Sequence, residues 1–243
     1  MFTLIVGACS GIGENLLMKG RKRDYILTEN DEKYDELVNF VTENEFSNTF
    51  IYKINVNNNE EIKTAFKEMR EKRLVISELA YLAGINFLSD AFDTSEELWD
   101  LIMGVNLKGA FFVMKEACAN MVANEIGGRI VCIASQHGVV ANVDRAAYCA
   151  SKAGLINLCK ALALEWACYG IKVNCVSPTF ILSKSNQDIL LNTSKRKEYL
   201  NNIPLKRYCD HADIVRAVNF LLSGENEMIT GHNLVVDGGW TAK

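Results

Sequence analysis

Proline is almost missing from this 243-residue chain, which has only Pro178 and Pro204. Pro178 follows a strand-like run and Pro204 closes a polar stretch, so the 183–204 region between them reads as a candidate loop or lid. Histidine is equally scarce: His137, His211 and His232 stand far apart, and no metal site is expected from them. No apolar run approaches the roughly 18 to 20 residues that a bilayer crossing needs, so no membrane partner is expected. The N-terminus opens straight into an apolar run at Phe2 without a charged leader or cleavage site, which points to a cytoplasmic protein. No basic block exceeds Arg21-Lys22-Arg23 and the net charge is −4, so the footprint of a nucleic-acid binder is missing. The eight cysteines form no C-x-x-C pair, and several lie in apolar segments where the side chain acts as a small hydrophobe, so reduced thiols are expected.

What is present fits one globular domain over residues 1–243, with 49% hydrophobic and 23% charged residues. Apolar strand-like runs at 2–6, 25–28, 49–56, 76–83, 129–134, 171–176 and 233–236 alternate with helix-period stretches at 31–45, 60–72, 96–124 and 146–169. That alternation predicts an α/β fold, a doubly wound parallel sheet with helices on both faces. The first strand runs into Gly7, Gly11 and Gly13 with Ser10 and Ile12 between them, a turn that lets backbone N–H groups approach a pyrophosphate at a helix N-terminus.

The most informative spacing is farther along. Tyr148 and Lys152 are four residues apart, so on a helix they share a face, and Ser135 precedes the tyrosine by thirteen residues. A phenol titrates near pH ~10, and a neighbouring ammonium would lower that value and make it a usable acid and base. The trio supplies a proton carrier, a pKa modifier and a carbonyl polariser for hydride chemistry.

In that order these motifs resemble the short-chain dehydrogenase/reductase family, with its TGxxxGxG, NNAG, Asn, Ser, YxxxK and PG pattern, over essentially the whole chain. Val6 stands in place of the first threonine, Tyr81-Leu82-Ala83-Gly84 replaces NNAG, and Pro178-Thr179 replaces Pro-Gly. The resemblance implies a Rossmann-type fold and a catalytic tetrad of Asn106, Ser135, Tyr148 and Lys152, in which Asn106 holds a water between the lysine and solvent. It implies NAD(H) or NADP(H) bound by Gly7, Ser10, Gly11, Ile12, Gly13, Asn55, Val56, Ala83, Gly84, Tyr148, Lys152, Pro178, Thr179, Ile181 and Ser183. Glu29 closes the second strand, where a carboxylate bonds a ribose 2′-hydroxyl and repels a 2′-phosphate, which tips the reading towards NAD(H). A shifted register would present Thr28 or Asn30 instead, and Arg21, Lys22 and Arg23 would then matter. The implied activity is that of a carbonyl reductase or secondary-alcohol dehydrogenase on a small-molecule or peptide-borne carbonyl: a keto sugar or polyol, a 3-oxoacyl group or a peptide-borne 2-oxoacyl group. The alternative is a regulator that senses dinucleotide without turnover. Gln136, His137 and 139–145 are expected beside the substrate; Arg145 would pair a substrate carboxylate or phosphate if it points inward, and the favoured reading is a solvated charge pointing outward. The helices over 106–124 and 146–169 are the expected interface of a homo-oligomer, a dimer or tetramer.

Overall fold

The computed structural model describes residues 1–20, 23–183 and 186–242; Arg21 and Lys22 and part of the candidate lid lie outside them. Seven strands form one sheet: β1 (Phe2–Val6), β2 (Asp24–Glu29), β3 (Thr49–Lys53), β4 (Ile76–Tyr81), β5 (Gly128–Ile133), β6 (Ile171–Pro178) and β7 (Asn233–Val236). Their order is β3-β2-β1-β4-β5-β6-β7, and every neighbouring pair is parallel. The chain winds outward from β1 in one direction and then, from β4, in the other, so a crevice opens beyond the carboxyl ends of β1 and β4 where the order reverses.

Both faces of the sheet are covered, and side-chain alternation decides which residue goes where. Leu4 and Val6 join a core completed by α3 (Asn59–Glu71), α5 (Ala110–Ala123) and α6 (Ala146–Trp166). Ile5, between them, joins the opposite core under α1 (Gly11–Lys19), α2 (Tyr34–Glu43) and α9 (His211–Leu222).

Three expected elements differ in detail. The third strand stops at Lys53, because Asn55 makes a turn in which its Oδ1 accepts from Asn57 N–H at 3.0 Å and its own N–H donates to Glu61. The 96–124 helix is α4 (Glu96–Met103) and α5 joined by a wider π turn, Gly104–Gly109. The turn lies hard against the β3–α3 connection: a Cβ on Gly104 would sit 1.9 Å from Asn57 Oδ1. The 183–204 region holds helices, α7 (Gln187–Leu190) and α8 (Thr193–Asn202), rather than an open loop.

Candidate active site

At the end of β1 the backbone turns through Gly7, whose φ is +80°, and a Cβ there would lie 2.8 Å from Ala83 N. Glycine is required on both counts. Ser10 then caps α1: its hydroxyl accepts from Gly13 N–H at 3.1 Å and donates to Gly7 O at 2.9 Å. Glu29, at the end of β2, is buried beside this turn, and its carboxylate accepts from Cys9 N–H at 2.8 Å and Asn30 N–H at 3.2 Å. Burial pushes that carboxyl above the usual range, and the two N–H donors and Lys33 partly oppose the rise. Gly7, Ser10, Thr28, Glu29, Asn55, Val56, Ala83 and Gly84 line a cavity of about 260 Å³. The register thus presents Glu29, with Thr28 and Asn30 beside it. Gly11, Ile12 and Gly13 belong to the first turns of α1 and are not part of that wall.

A second cavity, of about 250 Å³, continues from the first, for Leu82, Gly84 and Ile85 line both. Its walls include Ser135, Tyr148, Lys152, Pro178, Thr179 and Ile181, so three of the four proposed catalytic residues meet in one place. The reason is local. Ser135 follows the C-terminal end of β5, and Tyr148 and Lys152 share a face of α6, which packs beside β6. Lys152 is 3% exposed; its ammonium donates to Ile133 O at 2.8 Å and lies 5.8 Å from the Tyr148 ring centroid.

Asn106, the fourth, is fully buried in the π turn behind this wall. Its amide donates to Ile85 O at 2.9 Å and Ser151 Oγ at 3.0 Å, and its Oδ1 accepts from Ile85 N–H at 2.8 Å. Both amide hydrogens are therefore committed to tying the β4 loop to α6. Tyr81, which replaces an asparagine of the family pattern, donates its hydroxyl to Val105 O at 2.7 Å and so anchors the same turn.

The expectation that Lys152 lowers the Tyr148 pKa is not met. Tyr148 borders the cavity, yet burial of its phenol pushes the pKa above the ordinary value, with the Ser135 hydroxyl and then the Arg145 charge pulling it back. Burial also lowers Lys152, to about 8. A second correction concerns Arg145, which is 7% exposed and lines the cavity instead of pointing outward. Gln136 and His137 line it as well. Asn186, which sequence reasoning missed, pins the stretch after β6: its amide donates to Ile181 O at 2.8 Å and its Oδ1 accepts from Ser183 N–H at 2.9 Å. These two backbone groups are thereby taken by the protein. Asn186 has no local sequence signal, since nothing marks an asparagine as a partner for backbone five residues back.

A family model described as enoyl-(acyl carrier protein) reductase matches residues 7–241. The chain belongs to the short-chain dehydrogenase/reductase family. The enzyme is 33% identical to the NAD-dependent glycerol dehydrogenase of Listeria innocua over 240 residues, 99% of this chain and 93% of that one. It is 36% identical to the 3-oxoacyl-(acyl-carrier-protein) reductase FabG of Rickettsia prowazekii, over 98% and 95% of the two chains. A solved structure of a 4-hydroxyisoleucine dehydrogenase mutant with NADH and succinate superposes with a TM-score of 0.94 at 29% identity, covering 100% and 99%. The enzyme is an oxidoreductase that works between CH–OH and C=O with a nicotinamide dinucleotide. Among the described residues no helix is long and apolar enough to cross a membrane.

The residues present fit such a cofactor. The Gly7 turn has no room for a side chain, a buried carboxylate faces the first cavity, and Thr28 Oγ1 in that wall is buried without a protein partner. When bound, the dinucleotide supplies or accepts a hydride at its nicotinamide ring.

Proposed function

We propose that the enzyme interconverts a small carbonyl compound and its alcohol, with NAD(H) preferred over NADP(H), and that Ser135, Tyr148 and Lys152 carry the chemistry. The observation that supports this most is the meeting of those three side chains on one wall of a cavity continuous with the one that holds Glu29. In reduction, a bound reduced dinucleotide would supply the hydride that the carbonyl carbon gains, and Tyr148 would give its phenolic proton to the oxygen, to be replaced from solvent. Ser135 would donate to the same oxygen. Lys152 would hold its positive charge beside the phenol as the proton leaves, which favours phenolate in the transition state more than in the resting enzyme.

The preference for NAD(H) rests on Glu29, whose buried carboxylate has its lone pairs turned to backbone N–H donors and the cavity. A 2′-phosphate there would meet a like charge, though Lys33, donating to Cys9 O at 3.1 Å, is a nearby cation. Assays of the purified protein on a panel of ketones and alcohols with NADH and NADPH in parallel test both parts. NADH is expected to give at least about 10-fold higher kcat/KM, and Glu29→Ser to narrow that gap. A strong preference for NADPH would reverse the Glu29 assignment, and no turnover of any carbonyl would point to a dinucleotide sensor.

A further inference from the structure

Among the described residues four charged side chains other than histidine are buried: Glu29, Arg145, Lys152 and Asp237. Glu29 accepts from two backbone N–H groups, and Asp237 accepts from the N–H groups of Gly239 and Thr241 and from the Thr241 hydroxyl. The two cations are less well answered: Lys152 donates to Ile133 O at 2.8 Å, Arg145 through its Nε to Val143 O at 3.2 Å, and no carboxylate among the described residues lies within ion-pair distance of either. The less buried Arg23 and Arg129, by contrast, are paired with Glu78 and Glu227. The two terminal nitrogens of Arg145 have no protein partner and are not sealed from solvent, so both are available to a ligand that enters the cavity.

Its neighbours share the deficit. Gln136, 1% exposed, has neither amide atom bonded, and His137, 5% exposed, has no partner in hydrogen-bond geometry at either ring nitrogen. Burial and the Arg145 charge hold His137 down to about 4, with a loose contact to the Val140 backbone only partly opposing them, so the ring is neutral and has one donor and one acceptor to offer. Thr179 Oγ1 in the same wall is buried and unbonded too. None of the described residues lining this cavity is acidic, although the chain as a whole carries a net charge of −4. The N-terminus of the 21-residue α6 adds its positive end from the same side.

We propose that the substrate is a short-chain oxo acid, or the hydroxy acid in the reverse direction, whose carboxylate is held by Arg145 with Gln136 and His137 bonding its remaining polar atoms. The proposal rests on the oxidoreductase reading above and makes Arg145 the residue that sets specificity. The guanidinium presents two N–H groups in parallel, which matches a carboxylate bidentately. The cavity, about 250 Å³ and continuous with the one at Glu29, suits a small acid rather than a long acyl chain. Phe180 closes it on one side, stacked on Tyr199 at 4.4 Å and edge-on to His137 at 5.7 Å.

The test uses the full-length protein with its preferred cofactor, short 2-oxo and 3-oxo acids, their methyl esters, dihydroxyacetone and dihydroxyacetone phosphate. An acid is expected to exceed its ester at least ~100-fold in kcat/KM, because the ester leaves the buried guanidinium unanswered. Arg145→Gln should collapse that acid-to-ester ratio towards one, chiefly through KM, and Arg145→Lys should restore part of it. Equal turnover of acid and ester, a preference for the phosphorylated ketone, or an Arg145→Gln variant that slows acid and ester alike would overturn the proposal. Calorimetric titration of succinate gives a readout without turnover: Arg145→Gln should weaken its binding at least ~10-fold, and unchanged binding would count against the site. Failure to turn over any carbonyl would defeat the oxidoreductase reading, while the succinate titration would still judge the anion site.

Discussion

The two cavities of the cleft treat their polar groups in different ways. Around Glu29 the protein answers most of them itself: the carboxylate takes N–H groups from Cys9 and Asn30, Ser10 bonds Gly13 and Gly7, and Asn55 bonds Asn57, with Thr28 Oγ1 as the exception. Around Tyr148 the protein leaves the polar atoms of Gln136, His137 and Thr179 and the end of Arg145 without hydrogen bonds. A cavity whose groups are already satisfied is a preformed cradle for a fixed ligand. One with several buried groups unanswered is shaped for a ligand that brings its own polar atoms, and the kinds of groups left open describe that ligand.

The sharpest way to break this comparison is to remove the proton carrier from the open end and ask whether the satisfied end notices. Tyr148→Phe should lower kcat by about 100- to 10,000-fold while leaving NADH affinity, read by nucleotide fluorescence, within about twofold. A variant that keeps its activity would remove the phenol from the chemistry. One that loses cofactor binding in parallel would show that the two cavities are a single energetic unit.

Lys152 sits where the cavities meet, and its burial can be measured as a pH dependence. Its folded-state pKa is about 8 against an ordinary 10.5, so the native state sheds this proton before the unfolded chain does. Stability linked to it is fully present above pH 10.5 and is lost as pH falls through about 8. The groups facing the ammonium are the Cys132, Cys159 and Cys175 thiols, from β5, α6 and β6, and the Tyr148 ring. All of them remain in Lys152→Met, so the difference between the two proteins isolates the lysine. Wild type should gain on the order of 3 kcal/mol relative to Lys152→Met as pH rises across that window, measured by urea unfolding. A flat difference would mean that the ammonium is not desolvated, and the contrast between the two cavities would weaken.

The sequence made the frame legible because strand alternation and helix spacing are local. Leu4, Ile5 and Val6 announce a strand buried on both faces, and the Tyr148–Lys152 step needs only α6 to be a helix. What stayed hidden depends on partners distant in the chain. Arg145 is turned inward by a segment whose Asp144 carbonyl accepts from Ser89 N–H at 2.9 Å, a pairing that no pattern around Arg145 reveals. The π turn that buries Asn106 depends on Gly104 meeting Asn57 from another connection. The direction of the Tyr148 pKa shift is not legible in the sequence for a related reason: spacing reveals which charge is near, but it carries no information about how much water the fold removes.

The smallest predicted effect probes the wall behind the catalytic groups. Tyr81 is fully buried and its hydroxyl has one role on view, to donate to Val105 O, the carbonyl just before Asn106. Tyr81→Phe keeps the ring and its packing but leaves that carbonyl without this donor, which should cost about 1 to 2 kcal/mol in urea unfolding at unchanged m-value. Asn106 retains its own bonds to Ile85 and Ser151, so the wall should hold its place and kcat should fall less than about 10-fold. A loss of kcat far beyond the loss of stability would instead mean that the turn transmits strain to Lys152 past Gly84, where an added Cβ would lie 3.1 Å from Lys152 Nζ and 3.4 Å from Asn106 Oδ1.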